Sequence, residues 1–312
     1  MSAQNVPVSM TKARKPVGRR ISREIRVNAG AWVLLLPSLF SFILFSWRPL
    51  LSGIVLSFFK TKGYEAVSFV GVANYLEVFQ SSVFKSAIVN TFSYTLWSLA
   101  IGFLVPLVVA IMITEMVHFK SFFKFSVYFP VMIPSMAAAL LWYFMFDPGQ
   151  GGILNALLAF FDMGRSEWLQ NDRLTVPLIV VTMTWRAFGS TTLMYMASLA
   201  GVNHELYEAA SLDGASIFQR IRHITLPQIS NIIGLLFIMQ IIGVFQTMQE
   251  PLAMTEGGPN NASMTLMLES YYDAFRYFNA GRSMAVGGIT FVLLAAMTVI
   301  YMAVKQRAES DD

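Results

Sequence analysis

Six apolar segments, near residues 30–58, 86–115, 122–146, 174–198, 231–252 and 283–304, constrain this chain more than any other feature. Each reaches the roughly 20 helical residues that a hydrocarbon core of about 30 Å demands. In that medium every backbone N–H and C=O must be satisfied within the protein, so runs of this length are expected to fold as helices. The expected fold class is therefore all-α, a polytopic membrane protein with six transmembrane helices. Composition agrees: 312 residues that are 55% hydrophobic and 13% charged are too apolar for a soluble domain of this size. The absence of cysteine excludes disulfide staples, thiolate metal sites and cysteine nucleophiles. A net charge of +4 could suggest nucleic acid, but the basic residues lie beside apolar runs, which the membrane reading explains better.

Residues 1–28 form a basic tail carrying Lys12, Arg14, Lys15, Arg19, Arg20, Arg23 and Arg26. It lacks the short apolar core and small-residue cleavage site of a signal peptide, so it is expected to stay cytoplasmic and to set orientation. An even number of crossings returns the C-terminal tail, residues 306–312, to the same side. The loops holding His118, Lys120 and Lys124, and later Arg220 and Arg222, then face inward. Lys60, Lys62, Lys85, Arg165, Arg173, Arg276 and Arg282 are left outside. Gly71 to Leu76 reads as a short interfacial helix. Pro130 and Pro134 are tolerable in the third segment only where neighbouring helices re-satisfy the backbone. Gly102, Gly287 and Gly288 are expected at close helix contacts.

One polar, amphipathic island interrupts this pattern: Glu208 to Pro227, EAASLDGASIFQRIRHITLP. Glu205, Glu208, Ala209, Ala210 and Asp213 suit a short helix with acidic groups early, and Gly214 supplies a turn. Ile217, Ile221 and Ile224 then recur on one face of a second helix, which Pro227 ends or kinks.

The positions of Glu208, Ala209, Ala210, Gly214, Ile224, Leu226 and Pro227 resemble the EAA signature of permease subunits of bacterial binding-protein-dependent ABC importers. The LLP run ending at Pro37, FVGVANY from Phe69, FPVMIPS from Phe129 and MTEGGP ending at Pro259 extend the likeness to carbohydrate-importer permeases of the maltose and glycerol-phosphate type. The resemblance implies a type I importer permease in the bacterial inner membrane with both termini cytoplasmic. Its six-helix domain would cover residues 29–305 and its coupling loop residues 199–230. It implies that Glu208, Ala209, Ala210, Asp213, Gly214, Ile224, Leu226 and Pro227 engage a separate ATPase. It further implies a second homologous permease, two ATPase copies and an extracytoplasmic solute-binding protein. No G-x-x-x-x-G-K-[ST] loop occurs in the sequence, so no cofactor is expected in this chain and ATP with Mg would sit on the ATPase partners. The chain is not expected to be an enzyme, and His118, His204 and His223 read as loop residues rather than metal ligands.

Transport also needs polar groups at membrane depth, where they tend to face a bundle interior or an aqueous cavity. Arg186, Gln240, Gln246, Thr247, Gln249 and Glu250 stand out. By resemblance the substrate path would include Arg186, Ser190, Gln240, Val244 and Thr247, with Met183 and Ala187 nearby. Arg186 has two readings: it binds an anionic substrate such as a uronate, or it anchors and pairs with an acidic neighbour, which is favoured. Gln240 and Thr247, seven apart on one helical face, line the path or bond between helices. An ion-coupled secondary transporter is the alternative function, and a membrane scaffold a third; the first of these expects internal repeats and midplane carboxylates, and no repeat is visible.

Overall fold

The computed structural model describes residues 29–149 and 151–310. The basic tail 1–28 lies outside the described residues. The chain divides into two units, the first ending at Gly53 and the second beginning at Ile54.

Helix α1, Gly30–Leu56, provides the described part of the first unit and runs on into the second. Pro37 and Pro49 do not end it; a wide π-type turn at Ile43–Trp47 precedes Pro49, whose missing N–H leaves the carbonyl four residues earlier without its usual donor. Its side chains are exposed, with Leu34 at 81% and Phe45 at 76%. Large apolar side chains are each worth about 1.5–3 kcal/mol when removed from water, so such a helix belongs in lipid.

The second unit begins with an element that the hydropathy pattern does not announce. Strands β1, Phe59–Lys62, and β2, Glu65–Phe69, form an antiparallel hairpin with a bulge between Lys60 and Thr61. Helix α2, Ala73–Gln80, follows and corresponds to the expected interfacial helix. Asn74 of α2 donates to the carbonyls of Ser57 (2.8 Å) and Phe59 (2.9 Å), which ties α2 to the hairpin.

Helix α3, Ser82–Glu115, is a continuous 34-residue element. It contains a wide turn at Ser98–Phe103, where Pro106 supplies no N–H to the carbonyl of Gly102. Helices α4, Lys120–Met132, and α5, Ser135–Met145, meet at 97° across Pro134. The short helix α6, Ile153–Phe160, leads to α7, Asp172–Leu199, which is 28 residues long. Packing of α7 on α4 is close: a Cβ on Gly189 would lie 2.3 Å from the Val127 carbonyl oxygen.

After α7 come α8, His204–Leu212, and α9, Ile217–Gln228. The chain then bends 73° into α10, Ser230–Phe245. The fifth apolar segment is not one helix to residue 252: it breaks at Gln246–Met248 and resumes as α11, Gln249–Thr255. Helix α12, Leu266–Tyr271, widens through Tyr272–Arg276, and α13, Ala280–Ser310, is the last described helix.

The protein is thus mostly helical. Among the described residues three helices are long and apolar enough to cross a membrane, or up to five if each bent pair is one span. Helix α7 is not among them; its many threonines and Arg186 dilute its apolar character. Three buried clusters hold the second unit together. Val78, Phe84, Phe245, Leu266 and Val286 join α2, α3, α10, α12 and α13. Tyr94, Ala139, Ile179, Val244 and Met254 join α3, α5, α7, α10 and α11. Leu107, Tyr195, Ile229 and Leu236 join α3, α7 and the start of α10. Gly288 faces the Tyr75 hydroxyl at 3.1 Å from where its Cβ would lie, but Gly287 faces open space, contrary to its expected role in close packing.

Candidate functional site

The break in the fifth apolar segment builds a cavity. As α10 ends, Thr247 sits in the break and its carbonyl accepts the Thr265 hydroxyl at 2.7 Å, so one freed backbone group finds a partner. The wide turn in α3 lies opposite, presenting Ser98 and Gly102. A cavity of about 470 Å³ lies between them, with Met183, Thr184, Arg186, Ala187 and Thr191 of α7 as its third wall.

Of the residues expected on a substrate path, Arg186, Gln240, Val244 and Thr247 line this space, and Ser190 is not among the lining residues. Val244 is 2% exposed and also belongs to an apolar cluster. Gln240 donates from Nε2 to Ser98 Oγ, so it bonds between helices while it lines the cavity. A Cβ on Gly102 would come within 2.9 Å of Gln240 Nε2 and 3.1 Å of both Ser98 Oγ and Thr184 Oγ1, which explains a small residue there. Ser98, Thr184 and Thr191 were missed by sequence reasoning. Thr184 and Thr191 share the seven-residue spacing that singled out Gln240 and Thr247, and that was the available signal.

Arg186 pairs with Glu250: Nη2 to Oε1 is 3.6 Å. Glu250 is buried and comes from α11, beyond the helix break, so the break delivers the counter-charge. The Arg186 Nε is buried without a hydrogen-bond partner among the described residues. Beside the pair, Trp185 packs edge-on against Trp142 at 5.8 Å.

The Glu208 stretch folds as two helices around a tight turn. Asn203 caps α8, its side-chain oxygen accepting from the Glu205 N–H at 3.0 Å. Gly214 adopts φ +78°, with Ala215 N–H donating to the Ala210 carbonyl (2.9 Å) and Gly214 N–H to the Ser211 carbonyl (3.1 Å). That is the Schellman arrangement, which an L side chain at Gly214 would strain. Ser216 and Gln219 then form a capping box for α9. This S-x-x-Q signal was legible but unread. Glu208, Ala209, Asp213 and Gly214 are exposed; Ala210, Ile224 and Leu226 are half-buried and Pro227 is exposed. The expected Ile217–Ile221–Ile224 stripe is divided, because a wide turn at Ile221–Thr225 shifts the helical phase and leaves Ile217 and Phe218 exposed at 64% and 71%. The bend falls at Ile229, two residues after Pro227.

Broken, membrane-length helices around a cavity lined by both polar and apolar side chains, with an exposed helical turn, are the features of a membrane permease. Residues 102–310 match the family described as "Binding-protein-dependent transport system inner membrane component". The chain belongs to this family. It is 29% identical over 275 residues to the "Arabinooligosaccharides transport system permease protein AraP" of Bacillus subtilis, covering 88% of this chain and 87% of that protein. It is 27% identical over 277 residues to the "Trehalose/maltose transport system permease protein MalF" of Thermococcus litoralis, covering 88% and 92%. Its fold matches, with a TM-score of 0.82 and 24% identity over 93% of this chain and 98% of the other, a chain of a bacterial alginate ABC transporter solved with an alginate pentasaccharide-bound periplasmic protein. Family membership leaves the ion-coupled alternative without support.

Proposed function

We propose that this chain is the membrane-spanning permease subunit of an ATP-driven importer that moves a carbohydrate, a sugar, oligosaccharide or related polyol or uronate, delivered by an extracytoplasmic solute-binding protein. Support comes from relatives named for arabinooligosaccharide and trehalose/maltose transport and from the fold shared with an alginate importer. In this reading the chain crosses the inner membrane six times, with α7 as one crossing and both termini in the cytoplasm. A second, similar permease completes the path, and two ATPase subunits dock beneath.

One observation carries the mechanism: α9 continues through the 73° bend into α10, and the far end of α10 forms the cavity wall. The 16 residues of α10 span about 24 Å, so in this reading motion that α9 passes to the bend is carried on to the cavity along one helix. The exposed Glu208, Leu212, Ile217 and Phe218 around Gly214 present a mixed acidic and apolar face for the ATPase. ATP-driven closure of that partner would push α9, tilt α10 and expose the cavity alternately to the two sides. Within the cavity, Gln240, Thr247, Thr184 and the Arg186–Glu250 pair supply donors and acceptors for sugar hydroxyls.

The test uses the complete importer in vesicles with its solute-binding protein. Glu208→Lys and Gly214→Asp should each reach the membrane and leave ATP hydrolysis in place. Uptake should fall by about tenfold or more, corresponding to about 1.4 kcal/mol of lost coupling. Wild-type uptake in both variants would overturn the coupling assignment.

A further inference from the structure

A second cavity, of about 670 Å³, lies at the opposite end of α7 from Asp172, and the transport reading makes no use of it. Its walls are the end of α3 (Ile111, Thr114, Glu115), the start of α4 (Lys120, Lys124), the last turns of α7 and the inner side of α8 and α9 (Tyr207, Arg220, Thr225). The volume lies within the roughly 300–1,000 Å³ of small-molecule sites.

The lining is divided by chemistry. One part is apolar, with Ile111, Met116, Leu193, Met196, Leu199 and Val202. The other gathers three basic side chains, Lys120, Lys124 and Arg220, with His204 and Glu115 also in the lining. Lys120 Nζ donates to the Thr114 carbonyl at 2.9 Å and Arg220 Nη1 to Ser211 Oγ at 3.0 Å. Neither these two nor Lys124 has a carboxylate within ion-pairing distance among the described residues. Two polar atoms of lining residues, Arg220 Nε and Thr114 Oγ1, are buried without a hydrogen-bond partner among the described residues. Buried polar atoms left this way are costly, so an unfilled donor on a cation is a demand for an anionic acceptor.

We propose that this cavity binds a phosphate-bearing anion, an anionic phospholipid whose phosphate sits among Arg220, Lys120 and Lys124 and whose acyl chain lies along the Met116, Met196 and Leu199 surface. The apolar part favours the lipid over free phosphate, because an inorganic ion would leave that surface without a partner. Basic pockets between membrane helices recognise anionic headgroups by this combination. The site goes beyond the transport reading and does not depend on which sugar is carried. Because α8 and α9 form one wall and α3, α4 and α7 the others, an occupant bridges the Glu208 turn to the helix bundle.

Native mass spectrometry of the full chain, loaded from mixed micelles with phosphatidylglycerol or phosphatidylcholine, tests this. The chain should retain phosphatidylglycerol selectively. Retention should fall about fivefold for each cation removed through Lys120→Ala, Lys124→Ala and Arg220→Ala. Ala197→Trp, which keeps every charge but fills the space, should also abolish selective retention, so a folding defect in the charge variants does not decide the outcome. Excess inorganic phosphate should not displace the lipid; displacement sensitive to the same substitutions would identify free phosphate as the occupant and overturn the lipid assignment. Equal retention of both lipids, or retention unchanged in the Ala197→Trp and charge variants alike, would overturn the site.

Discussion

At the residue scale the informative side chains are those whose partners come from another element. Arg186 stood out in the sequence as a charge inside an apolar run, and pairing was the favoured reading. Its partner Glu250 lies 64 positions away and meets it only because α10 breaks before α11. Removing one member of a partly buried pair leaves the other uncompensated. Glu250→Gln is therefore expected to lower both carbohydrate uptake and the melting temperature in detergent, and adding Arg186→Gln should recover part of the stability. A double-mutant cycle should return a coupling energy of about 0.5–3 kcal/mol. Additive single effects would show that the pair does not act as a unit. Gly189 and Gly214 were equally visible as letters, but their reasons differ: close approach to the Val127 carbonyl for the first, a left-handed turn for the second. Only the turn was deducible from neighbouring residues.

Among elements, breaks and clips matter more than helices. Proline marked the bend between α4 and α5, and the Gln246–Met248 break is marked as well, by the polar Gln246, Thr247, Gln249 and Glu250 and by Pro251, whose missing N–H cannot bond the Thr247 carbonyl four residues earlier; the sequence reading nevertheless carried one helix through to residue 252. A feature hidden from sequence is the clip that holds α12 and its widened turn to α13. Arg282 reaches Glu269 at 2.8 Å, Asp273, and Glu77 of α2 at 3.8 Å. In the sequence Arg282 counted only as an outer-loop charge. Burial pushes the Glu269 carboxyl up to about 7, against the opposing pull of Arg282, and Asp273 is also raised, again chiefly by burial. Groups with folded values above their unfolded ones bind protons more tightly when folded. Their contribution is complete below the ordinary carboxylate range and declines as pH rises toward about 7. The melting temperature in detergent should accordingly fall as pH goes from about 4.5 to 7, and Glu269→Gln should flatten that slope. An unchanged slope in the variant would remove Glu269 as its source.

Over the whole molecule, the proposed mechanism needs the cavity and the Glu208 turn to move together, and both lie within the second unit. Orientation can be tested directly because the chain has no native cysteine. Asp213→Cys should react with a membrane-impermeant maleimide only in inverted vesicles, and Lys62→Cys, in the β1–β2 hairpin, only from the outside. Labelling of Asp213→Cys from outside intact spheroplasts would invert the proposed topology.

What the sequence determined by itself was the solvent of the chain, the helical fold class and the two helices around Gly214. These rest on short-range physics: apolar runs must satisfy their own backbone in lipid, and a glycine in a small, polar stretch closes a helix locally. Tertiary structure alone decided which polar residues share a cavity, that Ser190 is not among the lining residues while Ser98 and Thr184 are, and that the half-buried Arg282 meets three carboxylates. Those outcomes depend on where helices break and how closely they pack, and such long-range distances leave no periodic trace along a single chain.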